Sequence, residues 1–250
     1  MKKRIAFLLI AFVVAALAAY KIIDTIKINK TSNISITSEK QGKKLSVSVI
    51  KGQEYLHKFQ VNSFISIKTP PQFAVWIEDL NGNYVNTIYA TSKVVNQNWS
   101  KAPDDSAQGG KIKRQEALPY WTHKHGNNKI NPDTMSSATP KGNSVISSKI
   151  NEKQGEYIIF AEVNMSTDFN EYYPKNAEQG KDNYSGGPWG SGQPALIYSS
   201  NINLNSINKI YDLKLIGHSS PDGSDGNLYK DLSRVTTAKN IIDKITVQIN

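Results

Sequence analysis

His123 and His125 flank Lys124, and they are the residues in this chain best spaced for metal chemistry. In an extended segment, side chains two apart project to the same side, so the pair could offer two imidazoles to one ion. A hydrolytic zinc centre takes about three protein ligands and keeps one position open for water. His218 and scattered acids are the sources of a third ligand, and no H-E-x-x-H run fixes its spacing. A metal-dependent hydrolase using His123 and His125 is one reading; exposed loop histidines are the plainer one.

The other polar constellations point less far. Asp222-Gly223-Ser224-Asp225-Gly226-Asn227 has the oxygens of a calcium loop but not its ligand order or trailing glutamate, and tight Asp-Gly turns explain it. Ser219-Ser220 and Ser136-Ser137 lack the glycines of a nucleophile elbow. Glu78 and Asp79 are adjacent at a strand end and so face opposite ways, which suits a hairpin-rim charge pair better than paired catalytic carboxylates. Trp76, Trp99, Trp121, Trp189 and twelve tyrosines either pack the core or form a sugar or peptide platform on long loops.

The elements that carry these residues begin with Lys2-Lys3-Arg4 and an apolar run from Ile5 to Tyr20, closed by Lys21. A basic end before a hydrophobic segment is an export signal or signal anchor, here residues 1–23. Ala16-Leu17-Ala18 offers a cleavage site, while Ile22 and Ile23 extend the run toward a retained span. Either way the expectation is a cell-envelope protein: membrane-anchored with its domain outside the cytoplasm, or secreted or periplasmic after cleavage. Of the 250 residues, 24–44 read as a polar tether and 45–250 as one exported domain. The net charge is +9, and the basic residues are scattered, without the Lys/Arg block and aromatics of a nucleic-acid groove. The absence of cysteine excludes disulfides, thiolate zinc sites and thiol catalysis.

Leu45-Ser46-Val47-Ser48-Val49 alternates with period two, and Phe73-Ala74-Val75-Trp76-Ile77 is the strongest strand. Asn81-Gly82 between two β-type runs predicts a tight hairpin. Further strands are expected near 59–67, 155–163, 195–198, 211–216 and 245–249. Long Gly/Pro-rich loops are expected at 96–144 and 174–194. Val235, Ala238, Ile241 and Ile242 are helically spaced behind Ser233 or Thr236 as N-cap. The expected fold is mostly β: an antiparallel immunoglobulin-like β-sandwich with long loops and one short C-terminal helix, preceded by an N-terminal hydrophobic helix.

Several segments between about 70 and 165 carry a resemblance: Phe73-Ala74-Val75-Trp76-Ile77-Glu78-Asp79 with Gly82 and Tyr84-Val85, Leu118-Pro119-Tyr120-Trp121, Asp133 through Gly142, and Gly155-Glu156-Tyr157 to Glu162-Val163. Together they resemble an uncharacterised bacterial family of predicted periplasmic proteins, a domain of unknown function met beside PepSY domains and flavin transferase genes. The resemblance implies an immunoglobulin-like sandwich and no established activity. Residues 143–151 lack that family's Trp-Asp-Gly. The stretch from Asp133 through Ser136 to Thr139 also resembles the flavinylation motif of exported FMN-binding domains. That resemblance implies FMN esterified to the Thr139 hydroxyl; the aromatic rings of Tyr120 or Trp121 nearby in sequence could then stack on the flavin.

The first expectation is thus a non-catalytic envelope binding or scaffolding module without a resident cofactor. It would touch the membrane through its N-terminal helix and engage an envelope protein or glycan, not nucleic acid. A flavin-linked redox accessory protein carrying FMN at Thr139 is the alternative, and a metal-dependent hydrolase the third.

Overall fold

Strict alternation in Leu45–Val49 and near-continuous apolar runs at 73–77 and 157–161 require two kinds of sheet. One kind keeps a wet face; the other is covered on both. The computed structural model describes residues 31–36, 42–60, 66–97, 99, 113–128, 130, 134–136 and 139–250, with Ala15 and Ala19. The expected signal or anchor, residues 1–23, otherwise lies outside the described residues. No helix among those described is long and apolar enough to cross a membrane.

The described strands are β1 (Ser32–Ser35), β2 (Lys43–Lys51), β3 (His57–Gln60), β4 (Ser66–Thr69), β5 (Gln72–Glu78), β6 (Tyr84–Thr91), β7 (Met135–Ser136), β8 (Ser144–Ile150), β9 (Glu156–Asn164), β10 (Leu196–Asn203), β11 (Ile210–Asp212), β12 (Lys214–His218) and β13 (Ile242–Ile249). Two short helices, α1 (Ser92–Val95) and α2 (Pro119–His125), accompany them. The strands form a five-stranded sheet, β1-β8-β2-β13-β11, a six-stranded sheet, β12-β10-β9-β5-β6-β7, and the separate β3-β4 hairpin. Pairing is antiparallel except for β1 with β8 and β7 with β6. The molecule is mostly β, with antiparallel sheets.

In the five-stranded sheet, Val47 lies opposite Val247, and Leu45, Val49, Ile245 and Ile249 share their inward face. These side chains join Phe73, Val75 and Ile77 of β5 and Ile159 and Val163 of β9 in one hydrophobic cluster. Both sheets therefore contribute to the main core. On the other face of the six-stranded sheet, Ala74, Trp76, Phe160 and Ile197 pack against Ala117, Leu118, Tyr120 and Trp121. The chain's own segment 113–128 is the cover.

Four expectations change at this level. The Asn81-Gly82 turn is wider than two residues: only Gly82 takes positive φ, at 82°. Asp79 holds it, its carboxylate accepting the N–H groups of Asn81 and Asn83 at 2.9 Å each. The C-terminal helix is a 3-10 turn, Thr237–Asn240, and Thr236 makes no side-chain capping bond to it; Ile242 already starts β13. Part of the expected tether is a strand, β1. Finally, the loop read across 96–144 contains α2 and a 3-10 turn, Gln115–Ala117, both packed on the sheet.

Candidate functional site

The outer face of the six-stranded sheet combines stacked rings with buried carboxylates. Alternation along β5 and β9 sends Trp76, Glu78, Phe160 and Glu162 to this face. Trp76 and Phe160, which are cross-strand partners, stack with centroids 5.3 Å apart and planes 13° from parallel. Tyr120 tilts over both at 5.9 Å. Trp76 is fully buried, so this ring belongs to the core and not to a binding platform.

Glu162 is completely buried between these rings and α2. Its two oxygens accept the N–H groups of Tyr120 at 3.2 Å and Trp121 at 2.7 Å. Those donors begin the helix, where no intrahelical partner exists, and Pro119 at the first turn has no N–H to satisfy. Burial pushes the Glu162 carboxyl up to about 7, against the pull of the Trp121 N–H, the Ser219 hydroxyl and the Tyr120 N–H.

Glu78, read from the sequence as a rim charge, is 1% exposed. It accepts the Trp76 indole N–H at 2.9 Å and pairs with Lys124 at 3.0 Å. The Lys124 ammonium also donates to the Gly82 carbonyl at 3.1 Å and sits 5.4 Å from the Tyr120 ring centre. Trp121 donates its indole N–H to the Thr87 hydroxyl at 3.0 Å. The helix is thus fastened at three points: Glu162 at its start, Thr87 beneath it and Glu78 near its end.

Glu116, in the preceding 3-10 turn, is the third buried acid at this face, and its Oε1 has no hydrogen-bond partner among the described residues. Burial pushes it up to about 7, while its own backbone N–H and the nearby Arg114 oppose this. Gly186, at φ +87°, lies directly over it; a Cβ there would come within 2.2 Å of Oε1. The loop after β12 closes the outside of the cover. Gly223 and Gly226 abut Gln115 and His123 so closely that a Cβ on either would collide. Asp222 closes its own turn by accepting from Ser220 and from the Ser224 N–H.

The sequence placed His123 and His125 in an extended segment, but they lie on α2, where residues two apart diverge by about 200°. His123 is exposed, with Nε2 3.4 Å from the Gly223 carbonyl. His125 packs on Trp121 at 4.4 Å, and burial lowers its basicity. His218 stacks on Tyr229 at 5.4 Å. Among the described residues, no cluster of three His, Cys, Asp or Glu side chains could hold a metal ion.

Of the flavin-motif residues, Asp133 lies outside the described set. Ser136 ends β7 opposite Thr91. Thr139 is half-buried and precedes Pro140, whose carbonyl accepts the Tyr55 hydroxyl at 2.9 Å. Trp121 and Tyr120, the rings expected to stack on a flavin, are buried on the inner side of the cover, which does not fit that role.

Half-buried aromatics occur elsewhere, on the loop between β9 and β10. Trp189 lies 5.8 Å from Phe59 of β3, and Arg234 sits 4.9 Å from the Tyr172 ring centre. Asn170 accepts the N–H groups of Tyr172 and Tyr173, at 3.0 and 2.8 Å, and Asn183 donates to the Tyr172 carbonyl at 3.0 Å. Tyr184 lies alongside Gly187, one of two consecutive glycines with positive φ before Trp189.

Sequence reading missed Glu116 and Glu162 as site residues. The signal for Glu162 was present: one acid inside the apolar run Ile158-Ile159-Phe160-Ala161-Glu162-Val163. No family model, curated protein or solved structure matches the chain.

Proposed function

We propose that this chain is an exported, non-catalytic binding module of the cell envelope, with an immunoglobulin-like sandwich as its scaffold. Its basic, apolar N-terminus supports export or anchoring, and the core shared by both sheets supports the sandwich. The ligand class is a glycan. The observation that carries this reading is a set of half-exposed rings: Trp189 tilted against Phe59 and, in the same loop as Trp189, Tyr184 and Tyr172, with Arg234 over the Tyr172 ring. Rigid aromatic faces at a loop rim bind sugar rings at low entropic cost, because few side-chain rotors remain to be ordered. Asn and Gly in the same loop supply hydrogen-bonding groups and close backbone approach.

Affinity electrophoresis of the exported domain through gels containing envelope polysaccharides tests the reading. Retardation is expected, with Trp189→Ala weakening binding about tenfold, a typical cost for an anchoring ring, at an unchanged melting temperature. No retardation in any polysaccharide, or equal retardation of the variant, would overturn it.

A further inference from the structure

Away from the aromatic cover, three chain segments bring a hydroxyl, a carboxylate and a carboxamide together where the two sheets meet. Asp168 follows β9 and is 7% exposed; Gln193 precedes β10 and is 1% exposed; Thr236 and Thr237 precede β13. The Thr237 hydroxyl donates to Asp168 Oδ1 at 2.6 Å. Gln193 Nε2 donates to Thr237 Oγ1 and, at 3.2 Å, to the Asp168 carbonyl. On its other side, Gln193 Oε1 accepts the Thr236 N–H at 2.6 Å and the Thr236 hydroxyl at 3.2 Å. Asp168 Oδ2 is buried and has no hydrogen-bond partner among the described residues.

The backbone is built tightly around this group. Asp168 N–H donates to the Ser191 carbonyl and Gln193 N–H to the Asp168 carbonyl, each at 2.9 Å. Gly192 lies between them at φ +77°, and a Cβ there would approach the Asp168 carbonyl carbon to 2.5 Å. Thr167 takes φ 59°, which a β-branched residue adopts only under constraint.

Each group has a role in acyl transfer. A hydroxyl bonded to a carboxylate is a nucleophile beside its base. A carbonyl oxygen held by an N–H and an O–H donor is polarised, and negative charge developing there is stabilised. We propose that Thr237 and Gln193 become joined by an intramolecular ester, with Asp168 as the base. Thr237 Oγ1 gives its proton to Asp168 and attacks Gln193 Cδ, forming the new C–O bond. The oxyanion on Oε1 is held by Thr236. Collapse breaks the Cδ–Nε2 bond, Asp168 returns the proton to the departing nitrogen, and ammonia leaves. A hydroxyl and a carboxamide thereby become an ester and ammonia, with no oxidant or reductant. Loss of ammonia to solvent and its protonation there pull the reaction forward.

Burial raises the Asp168 carboxyl above its ordinary range, which makes its carboxylate a stronger base. The bond from Thr237, the charge on His57 and Gln193 restrain that rise, and Glu54 adds to it. The product ties the start of β10 in the six-stranded sheet to the turn before β13 in the five-stranded sheet. It would constrain the unfolded chain as a disulfide does, in a protein with no cysteine.

Tryptic mapping of the purified full chain decides the matter. Cleavage at Lys181, Lys209, Arg234 and Lys239 yields peptides 182–209 and 235–239. The ester predicts one linked species, lighter than the pair by one ammonia, about 17 Da, the leaving group of acyl transfer. Alkaline hydroxylamine should split it and leave a hydroxamate at Gln193. Thr237→Ser should keep the link, Thr237→Val should lose it, and Asp168→Asn, folded by circular dichroism, should lose it too. Two separate wild-type peptides with the Gln193 amide intact would overturn the ester. A persisting link in Asp168→Asn would overturn the base.

Discussion

The two sheets solve burial in different ways. In the five-stranded sheet, β2 alternates: Leu45, Val47 and Val49 are buried, while Lys44 is exposed and Ser46 and Ser48 are partly so. In the six-stranded sheet, every residue from Phe73 to Glu78 is buried. The inner face needs no side-chain acceptors for backbone N–H groups, because a second sheet brings its own paired backbone. The outer face is covered by a seven-residue helix and turns, whose unpaired N–H groups need acceptors. Glu162 supplies two of those acceptors, and Glu78 and Thr87 tie down the side chains. A cover made of irregular chain thus draws acceptors for its own N–H groups into an apolar face, a need that sheet against sheet does not create.

The largest effect that tests this contrast is at Trp76. Its truncation removes the ring on which Phe160 and Tyr120 pack and leaves the Glu78 oxygen without its indole donor. Trp76→Ala should cost about 3–5 kcal/mol, read as a lowered urea midpoint. A midpoint equal to wild type would show that the cover contributes little to global stability.

Glu162→Ala should come next, at about 2–4 kcal/mol, because two buried N–H groups lose their acceptors. Hydrogen exchange should then locate the loss. Amides of residues 115–126 should exchange faster, while those of β2 and β13 keep their relative order of protection. Uniform acceleration in both sheets would mean that cover and core form one cooperative unit.

Much of the sheet architecture was legible and much of the site was not, for specific reasons. β2, β5, β9 and β13 follow directly from their apolar patterns. β8 escaped notice because two of its four inward positions, Ser144 and Ser148, are serines, which hides the alternation. The continuous runs in β5 and β9 already implied two buried faces, but not which segment covers the outer one. That depends on contacts between residues about forty apart, such as Trp121 with Glu162. The histidine pair was misplaced because His-Lys-His carries no periodicity that separates helix from strand. The Asp168–Gln193–Thr237 group joins three loops with no local motif.

Glu116 separates the charge contribution from the packing of the cover. Its folded carboxyl titrates at about 7, above the ordinary 4.5. The folded state therefore holds the proton more tightly, so this group's contribution is full below about pH 4.5 and is lost as pH rises through 7. Glu116→Gln keeps the shape of the neutral acid and removes the titration. Wild type and variant should match at pH 4, and the variant should be more stable at pH 8 by about 1–3 kcal/mol. Glu162 titrates in the same range but is common to both proteins, so the difference isolates Glu116. Equal midpoints at both pH values would show that the Glu116 carboxyl reaches solvent when charged.

The smallest expected effect lies at the rim of the covered sheet, at Asp79. Its carboxylate accepts from Asn81 and Asn83 backbone N–H groups and from the Asn83 amide at 2.8 Å, and these bonds hold it below its ordinary range. The sign is opposite to that of Glu116. The contribution is present above about pH 4 and is lost as pH falls through the lowered folded value. Asp79→Ala should lower the midpoint slightly from pH 8 to pH 5, and the gap should close in more acid solution. Asp79→Asn should fall between the two, since its amide oxygen can accept from the backbone while its nitrogen cannot accept from Asn83. Lys124 links this turn to the cover through the Gly82 carbonyl, so hydrogen exchange at the end of α2 should register the change while β13 does not. If Asp79→Ala loosens β13 as much as α2, the hairpin is not fastened to the cover alone, and the contrast between the two faces is weaker than the hydrogen bonds imply.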